Sequence, residues 1–166
     1  MKVEIVNGNL LDTEAHVIMH QTNCTFGFGS GVAKAIKDRW PNVAEEHHKL
    51  CQKNIEENNG DTSKLLGTVQ PVMVRTGPWM PKIVMNLFAQ NEYGYDGAKY
   101  TSYDALDTCL KKVAKWCVEH KIHHVALPYN MSCVRGGANW NVVMALIEAA
   151  FGDTDIEIEI RKLDLA

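Results

Sequence analysis

No stretch of the 166-residue chain approaches 18 consecutive apolar residues, which excludes a transmembrane helix. Cysteine is scarce and unpatterned. The five, at positions 24, 51, 109, 117 and 133, are odd in number and lack C-x-x-C spacing. That excludes a disulfide framework and suits reduced thiols in a cytoplasmic compartment. Charge of one sign is also missing: 17 basic against 20 acidic residues leave a net charge of −3. Binding of nucleic acid through bulk charge is disfavoured, although a local basic patch is compatible with this balance. There is no internal repeat, low-complexity tract or Pro/Ser-rich linker. A secretory leader is not read either, because Met1 to Val6 alternates polar and apolar residues and runs into a Gly turn, as a strand does. What is present is ordinary for a soluble globular protein, 46% apolar and 22% charged, at a length that suits a single domain spanning residues 1–166 with a sufficient core.

The pattern of elements predicts an α/β layered domain. Strands are expected at Lys2 to Val6, Ala15 to His20, Gly67 to Val74, Lys82 to Phe88, His123 to Leu127 and around Ile156, Ile158 and Ile160. In the last of these, apolar residues alternate with Glu157, Glu159 and Arg161, as in a half-exposed terminal strand. Helices are expected over Val32 to Trp40, Asn42 to Asn58, Ser102 to His120 and Trp140 to Phe151, with Pro41 separating the first two. The Ser102 helix carries an apolar stripe of Tyr103, Leu106, Leu110, Val113 and Cys117. The short connection between the third and fourth strands favours an antiparallel pair, so the sheet of about six strands should be mixed and flanked by helices.

Two loops stand out. The first, Gln21 to Gly31, leaves a strand at His20, is rich in glycine and enters a helix. The second, Tyr129 to Asn139, leaves the strand ending at Leu127 and enters the helix at Trp140. In open α/β sheets, ligands gather at this edge. Glycines allow close approach of backbone N–H groups, and a helix N-terminus adds unpaired donors and the positive end of a dipole. Such a cradle suits a diphosphate; a tight strand-to-helix turn explains the first loop equally well. Phe26-Gly27-Phe28-Gly29-Ser30-Gly31 lacks the Lys and Ser/Thr of a P-loop, and its GxG is not a GxGxxG.

The segment MHQTNCTFGFGSGVAKAIKDRWP resembles the first ligand loop of the macrodomain family, whose members bind ADP-ribose. It is most similar to the branch holding the yeast-type ADP-ribose-1″-phosphate phosphatases, the terminal ADP-ribose glycohydrolases and small phage-encoded relatives. VNGNLLD stands where that family has a Gly-Asp-Ile type turn. NLFAQNEYGYD and YTSYDAL resemble the branch's middle section, and LPYNMSCVRGGANW resembles its second loop. The resemblance implies a three-layer macrodomain fold and a set of roles. Asn23 would bond the distal ribose, whereas without the resemblance it reads as a loop cap. Gly29, Ser30, Gly31 and Val32 would offer N–H groups to the diphosphate. Ser132, Cys133, Val134, Arg135, Gly136 and Gly137 would close over it. Asn9, beside Leu10, replaces the family's adenine-binding Asp. His20, three positions before Asn23, resembles a His thought to act in catalysis, where a pKa near neutrality would suit acid/base work; a buried, satisfied His is the other reading.

The departures are as informative. Ala33 stands where one hydrolase branch has Asp, Asn139 where the second loop usually has Asp, and Val134 replaces a Gly. Gln90-Asn91-Glu92 lacks the Lys that glycohydrolase relatives use, leaving Glu92 and Asp96 as nearby carboxylates. The expected ligand is therefore ADP-ribose, ADP-ribose-1″-phosphate or an ADP-ribosylated macromolecule. The expected activity is hydrolysis of that ligand, with a non-catalytic binding module as the alternative. No cofactor, metal set or membrane association is indicated, and His47-His48 and His120 to His124 read as structural or surface residues.

Overall fold

The structure, a computed structural model, describes residues 1–77, 81–92 and 98–163. Six strands form one sheet: β1 (Lys2–Asn7), β2 (Val17–Asn23), β3 (Val69–Arg75), β4 (Pro81–Gln90), β5 (His124–Pro128) and β6 (Glu157–Lys162). Their spatial order is β1-β6-β5-β2-β4-β3. All neighbouring pairs are parallel except β3 with β4, which is antiparallel. The mixed sheet read from the sequence is the one observed.

Among the described residues, four α-helices cover the sheet: α1 (Gly31–Arg39), α2 (Pro41–Glu57), α3 (Tyr103–Glu119) and α4 (Trp140–Phe151). Strand alternation divides the core. Val17 and Met19 of β2 join Leu106, Leu110 and Val113 of α3 and Val143 and Ile147 of α4. Ile18, one residue out of phase, joins Ile36 of α1 and Val43 of α2 on the opposite face. Pro41 occupies the first turn of α2, where its missing N–H costs nothing, so α1 and α2 are separate helices. The side chains of Ser102 and Asn139 cap α3 and α4, accepting from the backbone N–H of Ala105 and Asn141.

Two expectations need correction. The second strand does not stop at His20: its parallel pairing with β4 continues through Gln21↔Leu87, Thr22↔Phe88 and Asn23↔Gln90. The final strand is not half-exposed: Ile158, Glu159 and Ile160 are all buried, because β6 lies between β1 and β5, and β1 is the edge strand on that side. The alternating glutamates misled because one of them is buried with partners. Glu159 accepts from the hydroxyl of Thr13 and from Arg161 Nε at 2.7 Å, and His124 Nε2 lies 3.3 Å away. Burial alone would raise its carboxyl pKa, but the Thr13 hydroxyl and the Arg161 guanidinium hold it below the usual carboxylate value.

Removing one partner of a buried charge cluster leaves the others uncompensated. Glu159→Ala is therefore expected to destabilise the fold by about 3 kcal/mol in urea denaturation. Asp38→Ala, which breaks an exposed pair with Lys34, should change stability by less than about 1 kcal/mol.

Candidate functional site

β5 and β2 are adjacent and parallel, so the loops that leave their C-terminal ends face one another. Between them lies a cavity of about 420 Å³. Its walls include His20, Asn23, Gly29, Ser30, Gly31 and Val32 from the first segment, and Ser132, Val134, Arg135 and Gly136 from the second. Ten of the residues selected from the sequence are thus brought to one place.

The start of α1 forms one wall. Ser30 is its N-cap residue, but no side chain caps the helix, and its first turn carries no acidic residue. α3 and α4 both satisfy their first N–H groups internally. The leading turn of α1 is instead presented to the cavity, with Gly31, Val32 and Ala33 all in the wall. A Cβ built on Gly29 or on Gly31 meets no atom within 4 Å, and Gly31 has φ +60°. The backbone is left accessible to a ligand with the positive end of the helix dipole behind it.

A family sequence profile, described as Macro domain, matches residues 19–147. The chain belongs to the macrodomain family. Solved structures agree with the fold of this macrodomain. A Bacteroides thetaiotaomicron protein of unknown function superposes with a TM-score of 0.79 at 23% identity, over 98% of this chain and 99% of that one. The macrodomain of Thermus aquaticus DarG gives 0.73 at 20% identity, over 96% and 97%. Thermosipho africanus DarTG, solved in complex with ADP-ribose, gives 0.74 at 15% identity, over 97% of this chain and 41% of that one. A search of curated protein sequences gives no significant match.

Four selected residues stand outside the cavity wall of this macrodomain. Asn9 uses its side-chain oxygen to accept from Leu11 N at 3.0 Å and so caps a 3-10 turn. Leu10 packs into the core beneath α1 and α2. The Cys133 thiol turns to the carbonyl of Met131 at 3.4 Å. Gly137, at φ +68°, lies against the backbone of Ala98, whose carbonyl oxygen is 2.5 Å from where a Cβ would stand. Asn139 caps α4, accepting from Asn141 N through Oδ1, a task an Asp at this position would perform as well. Glu92 is exposed and is not in the wall; Asp96, Tyr93 and Tyr95 lie outside the described residues.

Asn23 holds the first loop. Its Oδ1 accepts from the backbone N–H groups of Thr25 and Gly27, each at 3.0 Å, and its Nδ2 donates to the Gly27 carbonyl at 2.8 Å. The cap reading is therefore real, and one Nδ2 hydrogen remains beyond it. Beneath the loop, Phe28 sits between two histidines, its ring centroid 5.6 Å from His20 and 5.0 Å from His47. His47 donates from Nε2 to the Asn23 carbonyl at 2.9 Å and stacks on Phe88, the structural role expected of it. His20 is not at a strand end but within β2, 2% exposed, donating from Nε2 to Asn86 Oδ1 at 2.6 Å. Burial pushes both imidazoles down to about 4. The near-neutral titration expected of His20 is thus replaced by a neutral ring at pH 7. Cys24 is no nucleophile here: burial pushes its thiol up to about 12.

The wall residues missed by sequence reasoning include Gln21, Phe28, Gln90, Tyr129 and Met131. Gln21 could have been found from strand alternation, had β2 been carried three residues further.

Asn23→Ala should weaken ligand affinity and also lower folding stability, each by about 1–3 kcal/mol, because it strands the half-buried loop N–H groups of Thr25 and Gly27. Calorimetric titration and chemical denaturation measure the two effects separately. The paired histidines set an acid limit. Each has a folded pKa of about 4 against 6.5 for the free side chain, so the unfolded chain takes up protons first. The stability they contribute is complete above about pH 6.5 and is lost as pH falls towards 4. The melting temperature should be flat near pH 7–8 and fall below pH 6.5, and His47→Gln should flatten that acid limb.

Proposed function

We propose that this macrodomain binds ADP-ribose, with the diphosphate over the N-terminus of α1 and the remaining Nδ2 hydrogen of Asn23 directed to a ribose hydroxyl. The observation that carries the reading is the uncapped, acid-free first turn of α1 opening into a 420 Å³ cavity. That volume lies within the usual range for a small-molecule site. Backbone N–H groups at a helix N-terminus are matched to an anion, and Arg135 in the opposing wall supports the same charge preference. The family profile over residues 19–147, and the presence of ADP-ribose in the Thermosipho africanus structure of the same fold, favour this ligand over other nucleotides.

A second reading, turnover of ADP-ribose-1″-phosphate or of an ADP-ribosyl linkage at the same cavity, draws on His20 in its wall. With Nε2–H committed to Asn86, the neutral ring has only Nδ1 as a base. Such a mechanism runs with His20 unprotonated and loses activity towards about pH 4 rather than at an inflection near neutrality. The binding-module reading needs no titrating group and agrees with the neutral, hydrogen-bonded His20.

Isothermal titration with ADP-ribose tests the proposal, with an expected affinity in the micromolar range, about −7 to −8 kcal/mol. Gly29→Val should keep the wild-type melting temperature, since its Cβ meets no protein atom within 4 Å, yet weaken binding by about tenfold or more by filling ligand space. Absence of heat and of thermal shift at millimolar ADP-ribose would overturn the binding claim. Release of phosphate from ADP-ribose-1″-phosphate by wild-type protein but not by His20→Ala would favour the second reading.

A further inference from the structure

The second loop of the cavity is built on unfavourable backbone. Asn130 and Ser132 have φ of +60° and +72°, the left-handed region that Asn tolerates and Ser rarely adopts. Something outside the loop must hold Ser132 there. The hydroxyl of Ser132 donates to Oε1 of Gln21 at 2.5 Å. The amide nitrogen of the same Gln21 donates to Gln90 Oε1 and to Thr101 Oγ1, each at 2.8 Å. Thr101 in turn donates its hydroxyl to the Ser132 carbonyl at 3.1 Å. The backbone N–H groups of Tyr100 and Thr101 meet the Gly136 carbonyl at 2.8 and 2.9 Å. Both hydrogens of the Gln21 amide and its oxygen are thus engaged, and the three partners come from β4, from the segment before α3 and from the loop itself. The arrangement is closed around Gly136, where a Cβ would collide with Thr101 Oγ1 and the Ser132 carbonyl oxygen and stand 2.9 Å from Gln21 Nε2.

We propose that Gln21 is a positioning residue that holds the second loop in its left-handed conformation and thereby sets the affinity of the cavity. The proposal deepens the ADP-ribose reading and rests on it for the affinity consequence. Gln21 stands in the cavity wall, and its hold on the second loop runs through Ser132 and Thr101 to the turn at Gly136. A fully satisfied polar network fixes one loop geometry before binding, so ordering the loop is not charged to the ligand.

The test uses Gln21→Met, which keeps the length of the side chain and removes its amide, and Ser132→Ala, which removes only the hydroxyl. Amide hydrogen exchange of the unliganded protein is expected to accelerate about tenfold or more over residues 130–137, with the strands and helices unchanged. ADP-ribose affinity is expected to fall by about tenfold in each variant, and the double variant should be no weaker than Gln21→Met alone, because the two residues act as one unit. Acceleration spread evenly over the sheet, or unchanged exchange at 130–137, overturns the proposal and does so without any ligand. Unchanged affinity in both variants of a wild-type protein that binds also overturns it. A wild-type protein that does not bind ADP-ribose defeats the function reading instead, while the exchange experiment still decides whether Gln21 holds the loop.

Discussion

Buried polar side chains must find hydrogen-bond partners, and in this protein that requirement is concentrated in the last four residues of β2. An unsatisfied buried donor or acceptor costs about 1–3 kcal/mol, and buried His20, half-buried Gln21 and buried Thr22 and Asn23 follow one another within the sheet. The pleat sends successive residues to opposite faces. His20 therefore meets Phe28 of the first loop, while Gln21 meets Ser132 of the second. Asn23 closes the first loop on itself. Both walls of the cavity are thus secured by one strand.

The helix termini show a related economy. α3 and α4 receive side-chain caps from Ser102 and Asn139, a device worth about 0.5–2 kcal/mol per helix. α1 has none. α2 lacks a side-chain cap too, but it begins at Pro41, which has no N–H to satisfy; the uncapped turn of α1 faces the cavity, where an anion could supply the missing partner. Asn139 serves as such a cap, its Oδ1 accepting from Asn141 N at 2.9 Å.

Much of this was legible in the amino-acid order. The stripe Leu106, Leu110 and Val113, the break at Pro41 and the two glycine loops each reported a local physical rule, and each element was found. The extension of β2 was not legible, because Gln21, Thr22 and Asn23 have the composition of a loop; only the parallel pairing with β4 reveals them as strand. The interior position of β6 was hidden for a similar reason. Alternation tells which face is apolar, not what covers the other, and Glu157 and Glu159 looked solvent-facing until Thr13, Arg161 and His124 were seen around Glu159. For the site, the glycine loops were visible from residue type and Asn23 through the family resemblance, whereas the burial of His20 depends on Phe28 and Asn86, which reach it only through the tertiary fold.

Because β1 and β6 run parallel, the two ends of the described chain leave opposite rims of the sheet. The Met1 ammonium rests on the carbonyl of Thr154 at 2.5 Å, at the end away from the cavity. At the other end, Gly8 N meets the Lys162 carbonyl at 2.9 Å, and the Lys162 ammonium lies 4.8 Å from the ring centre of Tyr129, a residue of the cavity wall. The C-terminal end of β6 thus lies on the cavity side of the sheet, and an extension before β1 would emerge on the opposite rim. For display on a sensor surface or a pull-down resin, the amino terminus is the handle that keeps the cavity facing solution.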